Sequence, residues 1–291
     1  MIRLCAFSDE ASDSLEGQIA ALLRNNIKLT ELRSVGGVNV KDFTNEQAEA
    51  YAKQLAESGI RVWAIGSPLG KTDISTDFAE YEKTVRRVCE IANIFGCDKI
   101  RVFSFYNAYC QSKKVFENLC RMVKIADGYG ITLYHENEKG IYGDTAERVA
   151  AIKKNVSGLK FVFDPANYVQ VGEDVAAALD KSGADAAYFH IKDAIKTTGE
   201  IVPAGEGNGE IEKLITLATG DKVFTIEPHL SLFKAYAAID DTELKNKYHF
   251  NTNDEAFDFA VNALTGAGIA ESPDTSSVSD TSVPEAVSGG D

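Results

Sequence analysis

Phe161-Val162-Phe163-Asp164-Pro165 is an apolar run that stops on a carboxylate and a proline, and the same design recurs on both sides of it. Upstream stands Leu133-Tyr134-His135-Glu136-Asn137. Downstream stand Tyr188-Phe189-His190-Ile191-Lys192-Asp193 and Phe224-Thr225-Ile226-Glu227-Pro228. Each run has the length and β-branched or aromatic content of a buried strand, and each ends on a carboxylate or an imidazole. Working outward, further strand-like runs occur at Ile2–Phe7, Lys28–Arg33, Arg61–Gly66 and Lys99–Ser104. With Ile131–His135, Leu159–Phe163, Ala187–Ile191 and Lys222–Ile226 they make eight. Their starts lie about 30 residues apart, the size of one βα unit.

The segments between the runs read as helices. Phe78, Tyr81, Val85, Val88, Ala92 and Phe95 recur every three or four positions, and Gly96 follows as a stop. Thr44 with Gln47 forms a capping box, and Gly59 ends that helix. Asp144 with Glu147 suggests another start, and Val115, Leu119, Met122 and Ala126 make a further stripe. The last helix is expected from about Asp254 to Leu264. Eight such alternating units predict an α/β fold, a single (β/α)8 TIM barrel over residues 1–268, for which about 250 residues is the usual length. Residues 269–291, rich in Ser, Asp, Pro and Gly, are expected to form a disordered acidic tail. Two long connections, Asp193–Gly209 and Pro228–Asn253, leave strands at the barrel end where active sites sit. The second is expected to act as a lid.

The formal net charge is −14, and the five acids of Glu271–Asp291 account for five of those charges, leaving −9 on the rest. Such a chain lacks the basic footprint of a nucleic-acid binder and suits a neutral or weakly charged small substrate. No apolar run approaches the roughly 20 residues of a membrane span, and the N-terminus does not read as a secretory signal. The five cysteines form no C-x-x-C pair and read as reduced packing residues. A cytoplasmic protein is expected, with no membrane and no nucleic-acid partner, and a homo-oligomer is compatible with the chain.

The four strand ends carry the chemistry. A buried carboxylate is costly unless it is paired or bound to metal, and three from neighbouring strands would repel one another. A divalent cation removes the conflict, so Glu136, Asp164, His190 and Glu227 are candidate metal ligands. Ligand type alone admits Mn²⁺, Mg²⁺, Co²⁺ or Zn²⁺. Each residue taken singly also reads as an ordinary polar residue at a loop entrance. Taken together, at one depth in consecutive strands, they read as a site.

H-E-N, F-D-P-A-N, F-H-I-K-D, the G-E-G-N-G segment Gly205–Gly209, and I-E-P together resemble the xylose-isomerase-like superfamily of TIM barrels, the sugar phosphate isomerases and epimerases among them. The resemblance spans about Ile2 to Leu264. It implies one catalytic metal on Glu136, Asp164, His190 and Glu227, with manganese the expected ion. It also implies that Glu136 and Glu227 act as acid and base on opposite faces of a sugar or cyclitol, through an enediolate. The resulting expectation is a metal-dependent isomerase or epimerase. A lyase or dehydratase acting on a keto-sugar, keto-glycoside or inosose is the close alternative. An endonuclease IV-like phosphodiesterase is disfavoured. The extra histidines of those enzymes are absent from Ala64-Ile65-Gly66-Ser67-Pro68 and Val102-Phe103-Ser104-Phe105-Tyr106, Asn167 stands where several relatives carry histidine, and no Asp-x-His pair occurs in Glu200–Ala204.

Other polar residues are candidates for substrate contact: Asn167, Lys192, Glu206 and Lys71. The blander readings are a solvated loop lysine for Lys71 and a tight turn for the segment holding Glu206. Lys192 or Asp193 could orient His190. Glu31 and Arg33, alternating on the second strand, read as a structural ion pair or as substrate ligands. His135 should face the helix layer as a buried structural histidine. His229 and His249 fall in the long final loop, where either could serve a lid.

Overall fold

Parallel strands that alternate with helices can satisfy every interior backbone group by closing on themselves, and this chain does so. The computed structural model describes residues 2–218, 220–231, 248 and 250–268. The strands are β1 Ile2–Ala6, β2 Leu29–Leu32, β3 Arg61–Ile65, β4 Lys99–Val102, β5 Thr132–Glu136, β6 Lys160–Phe163, β7 Tyr188–Ile191 and β8 Lys222–Ile226. All pair in parallel in sequence order, and β1 pairs with β8 from Ile2 opposite Lys222 to Ala6 opposite Ile226, which closes the barrel. The (β/α)8 expectation is met. Most strands are one or two residues shorter than their apolar runs. Arg33, Gly66, Phe103 and Ser104 lie past the last ladder pair, and Glu136 lies inside β5.

Helices α1 Leu15–Arg24, α2 Asn45–Glu57, α3 Phe78–Ile94, α4 Ser112–Asp127, α5 Ala146–Asn155, α6 Pro165–Gln170, α7 Val175–Ser182, α8 Ile211–Leu217 and α9 Asn253–Gly266 surround the barrel. The apolar stripes face inward: Val85, Val88 and Ala92 of α3 and Val115, Leu119, Met122 and Ala126 of α4 are buried. The Thr44–Gln47 capping box is present in full. The start of α5 is corrected: Thr145, not Asp144, is the cap, and it accepts from the Arg148 backbone N–H. Asp144 lies in the preceding turn, where it accepts from the Tyr109 hydroxyl at 2.7 Å.

Strand alternation sends every second side chain into the barrel. Cys5, Leu29, Val162, Tyr188 and Val223, with Trp63 and Tyr134 against them, form an apolar layer inside. The next inward positions toward the C-terminal rim are Glu31, Arg101, Glu136, Asp164, His190, Thr225 and Glu227, all buried. A register shift between Thr30 and Glu31 in the β2–β3 pairing marks a bulge, a device that re-aims a side chain.

The long connection after β7 folds as a hairpin, Asp193–Ala194 against Ile201–Val202. Most of Pro228–Asn253, including His249, and all of 269–291 lie outside the described residues. Among the described residues no helix is long and apolar enough to cross a membrane. Cys5, Cys89 and Cys97 are buried, Cys110 and Cys120 are exposed, and none is bridged.

Candidate metal centre

Each of the four strand-end residues is aimed by local chemistry. Asp164 caps α6 with Pro165 in the first turn: its Oδ1 accepts the Asn167 N–H at 3.0 Å, which leaves Oδ2 facing the barrel axis. Asn137 fastens the ends of β5 and β6 by donating to the Asp164 carbonyl (2.8 Å) and accepting the Asp164 N–H (2.9 Å). Asn167 donates to the Asn137 carbonyl (2.9 Å) and reaches Glu136 Oε1 at 3.4 Å. The H-E-N and D-P-A-N motifs thus form one polar clasp. The remaining two, His190 and Glu227, stand at the ends of β7 and β8, and one ligating atom from each of the four lies within 4.8 Å of every other.

His190 is held from behind. Its Nε2 donates to the Glu31 carboxylate at 3.0 Å, and Glu31 also accepts from Tyr188 and Thr225 hydroxyls at 3.2 Å each. Phe7 packs its edge against the ring. Nδ1 therefore points into the cluster, 2.9 Å from Glu136 Oε1 and 3.9 Å from Glu227 Oε2. Arg101, on β4, donates to Glu136 Oε2 at 2.8 Å. Arg33 donates to Glu227 Oε1 at 3.1 Å, to both oxygens of Asp9, and to Glu10. Lys192 spans Asp164 Oδ2 (2.7 Å) and Glu227 Oε2 (2.8 Å).

This interior is strongly coupled. Asp9, Glu10, Glu31, Glu136, Asp164 and Glu227 face three obligate cations, Arg33, Arg101 and Lys192, all of them buried. Three negative charges remain when the histidines are neutral. Burial pushes Glu136 up, but His190 and Arg101 overcome it and hold the carboxyl well below its ordinary range. Glu227 is likewise held far down against burial, by Lys192, His229, His190 and Arg33. Burial drives Asp164 up to about 7, with Lys192 opposing. Burial drives Glu10 up to about 8. Burial pulls His190 down, yet Glu136 and Glu31 push it up to about 10. The excess negative charge is thus relieved by protons on Asp164, Glu10 and His190, in places where a cation would do the same.

The donor set fits a divalent ion. Among the described residues, His190 Nδ1 is fully buried and makes no well-directed hydrogen bond, and Asp164 Oδ2 meets the Lys192 ammonium alone. Bonds of about 2.0–2.2 Å to oxygen and nitrogen place ligands at most roughly 4.4 Å apart, so the cluster needs to contract by only a few tenths of an ångström. Three carboxylates and one imidazole are hard to borderline donors, suited to Mn²⁺, Mg²⁺, Co²⁺ or Zn²⁺.

The remaining candidates scatter. Lys71 pairs with Glu138 at 2.9 Å and lies over the Phe103 ring, largely buried. Glu206 is exposed, and its carboxylate accepts from the Tyr248 hydroxyl, away from the cluster. Asp193 does not touch His190; its carboxylate accepts the N–H groups of Ala194, Gly205, Gly207 and Gly209. That nest explains the G-E-G-N-G segment: a Cβ on Gly207 or Gly209 would lie 2.3 or 2.7 Å from Asp193 Oδ1. Glu31 and Arg33 both point inward but do not pair with each other. His135 faces outward from β5, fully buried against Phe161. His229 is buried beside Glu10 and Glu227, with its backbone N–H donating to Glu10 at 2.7 Å. Sequence reasoning missed Arg101, Asp9, Glu10 and Asn137, and it missed the partnership of Glu31 with His190. Strand parity offered a signal for Arg101, which alternates with Lys99 as an inward position.

Residues 25–238 match the family model described as xylose isomerase-like TIM barrel. No curated protein matches the chain. Among solved structures, a probable 3-DHS dehydratase, AsbF, from Bacillus anthracis superposes with TM-score 0.69 at 15% identity, over 91% of this chain and 99% of that one. The IolI protein with a bound zinc atom gives 0.68 at 15% identity, over 91% and 97%. An L-ribulose 3-epimerase gives 0.67 at 18% identity, over 92% and 96%. At these identities the likeness establishes the shared fold.

Proposed function

The chain belongs to the xylose isomerase-like TIM-barrel family, and from that premise we propose that it is a divalent-metal-dependent enzyme that isomerises or epimerises a small sugar or cyclitol. The observation that carries this reading is the convergence of Glu136, Asp164, His190 and Glu227 on one buried point at the C-terminal rim. We assign these four as the ligands and manganese as the working ion. The zinc atom bound to the IolI protein, and the epimerase and the probable dehydratase among the structural neighbours, support a divalent-metal enzyme of this class.

The ion would supply a Lewis acid for a carbonyl and its neighbouring hydroxyl. The rest belongs to the chain. Both glutamates are ionised in the described network, as a base must be before it takes a proton from the carbon beside the carbonyl. Arg101 donates to one oxygen of Glu136, and Arg33 to one oxygen of Glu227, which orients each carboxylate with its other oxygen toward the cluster. Asn167 and Lys192 border the same space and are assigned to substrate contact, with Lys71 and Glu206 as outer candidates. Phe7, packed between His190 and the two guanidinium groups, keeps water from the floor of the site. Return of the proton to the opposite face gives epimerisation, and return to the neighbouring carbon gives isomerisation. Expulsion of a β-substituent from the same enediolate gives a lyase, the reading nearest to the probable dehydratase AsbF.

The test is NMR of a panel of ketoses, inososes and keto-glycosides in D₂O with Mn²⁺-loaded protein, the metal being removed before acquisition. Solvent deuterium entering a carbon beside a carbonyl supports the assignment, and the labelled carbon identifies the reacting position. A panel with no metal-dependent exchange, from protein shown to hold stoichiometric metal, argues against enediolate chemistry.

A further inference from the structure

Two of the four inward ligand atoms already hold a cation, and it comes from the chain itself. Lys192 Nζ lies 2.7 Å from Asp164 Oδ2 and 2.8 Å from Glu227 Oε2. Its side chain is 4% exposed. Each of those carboxylates has one committed oxygen and one that faces inward. Asp164 Oδ1 is tied to the first turn of α6 through the Asn167 N–H, and Glu227 Oε1 is tied to Arg33. The inward oxygens, Oδ2 and Oε2, are the ones the ammonium bridges. Lys192 follows His190 by two residues, so both side chains project to the inside of the barrel, with Lys192 one pleat nearer the rim. Its four-carbon stem is long enough to bring the ammonium back down to the level of the cluster.

An ammonium and a divalent ion cannot share the same lone pairs at these distances. We propose that Lys192 is a built-in counter-cation: it offsets the repulsion between Asp164 and Glu227 in the metal-free chain, and it must leave Asp164 Oδ2 and Glu227 Oε2 before a divalent ion can bind. This rests on the metal reading of the four-residue cluster. Metal loading then becomes an exchange of one cation for another. The carboxylates need no large movement, and Lys192 sets the affinity. The displaced ammonium, tethered two residues from His190, is delivered to the rim side of the site.

The test is equilibrium binding of Mn²⁺ to the full chain and to Lys192→Met, which keeps the stem and removes the charge. Removing one unit charge about 4 Å from a divalent ion in partly screened surroundings should tighten binding by roughly tenfold or more. The metal-free variant should also melt below the wild type and gain more from Mn²⁺ than the wild type does. Binding that is unchanged or weaker in Lys192→Met overturns the proposal. Should that variant not fold, amine labelling of the wild type decides. Mass spectrometry should show faster modification of Lys192 with Mn²⁺ bound than without, and equal rates at demonstrated saturation overturn it. Failure of both wild type and variant to bind any of Mn²⁺, Co²⁺, Mg²⁺ or Zn²⁺ sinks the metal reading itself, and where another of the four binds in place of Mn²⁺ the same comparison is made with that ion. Wild-type binding without a Lys192 effect removes only this inference.

Discussion

Glu31→Gln is the most informative single change, because the site depends on which nitrogen of His190 faces inward. Glu31 accepts hydrogen bonds from Tyr188 and Thr225 hydroxyls and from His190 Nε2. Glutamine keeps the volume but retains only one acceptor oxygen. With that oxygen toward His190 and Thr225, the amide N–H groups face the Tyr188 hydroxyl, which can accept, and the bond to His190 loses its charge. A neutral partner holds the proton on Nε2 less firmly and so weakens the preference for the tautomer that leaves Nδ1 free for metal. A hydrogen bond to a charged group is worth about 1.5–3 kcal/mol, or roughly 10- to 100-fold. Removal of a partner that orients a metal-bound histidine costs the same range in affinity. Isothermal titration with Mn²⁺ should therefore show Glu31→Gln binding about 10- to 100-fold more weakly, and the metal-free protein, which loses a buried counter-charge to His190, should melt below the wild type. Affinity within twofold of wild type would refute the role given to Glu31.

Three further outcomes are expected. Glu136→Gln and Glu227→Gln should each retain some metal yet lose roughly 10² to 10⁴ in turnover, the usual worth of acid–base catalysis, and steady-state kinetics on the identified substrate checks this. They should also differ, one mutant exchanging the α-proton of one epimer only and the other that of the opposite epimer; near-normal turnover removes that residue from the chemistry. Mn²⁺ affinity should rise with pH, because ligands must shed protons that the fold holds on Asp164 (about 7) and His190 (about 10). The slope should be near one decade per pH unit from 7 to 8.5 and steeper below 7, and a flat titration contradicts the proton inventory. His135, pulled down to about 4 by burial against an opposing Glu136, is neutral when folded. Stability from that group is complete above pH 6.5 and is lost as pH falls toward 4, about 3 kcal/mol in all. Denaturant unfolding at pH 7 and 4.5 should show His135→Phe losing less than wild type across that window, and equal losses would exclude the group.

The barrel was legible because its signal is local. Each strand is a short apolar run, each helix carries a stripe and a cap, and their alternation leaves few topologies. Glu136, Asp164, His190 and Glu227 could be nominated for the same reason, as polar residues terminating apolar runs at a shared depth. What stayed hidden depends on closure. Glu31 meets His190 across 159 residues, and Arg33 meets Glu227 across 194, contacts that exist only once β1 and β8 pair. The register shift beside Glu31, with Trp63 the extra residue on the facing strand, leaves no mark in composition. Asp193 shows the limit from the other side. Its neighbour His190 suggested a role as orienter, but the glycines at 205, 207 and 209 enclose its carboxylate instead. The start of α5 was misplaced by one residue because Asp144 and Thr145 are both good caps, and the tertiary bond from Tyr109 occupies the first.

The central claim is a single divalent ion on four named side chains, and metal stoichiometry tests it most directly. Purified protein equilibrated against Mn²⁺, Co²⁺, Mg²⁺ or Zn²⁺ and then freed of excess should hold about one ion per chain for at least one of these metals by elemental analysis. Asp164→Ala and His190→Ala should fall close to zero while keeping the barrel's circular dichroism. Wild-type protein that retains none of the four metals in stoichiometric amount, or alanine variants that retain the ion, would contradict the account.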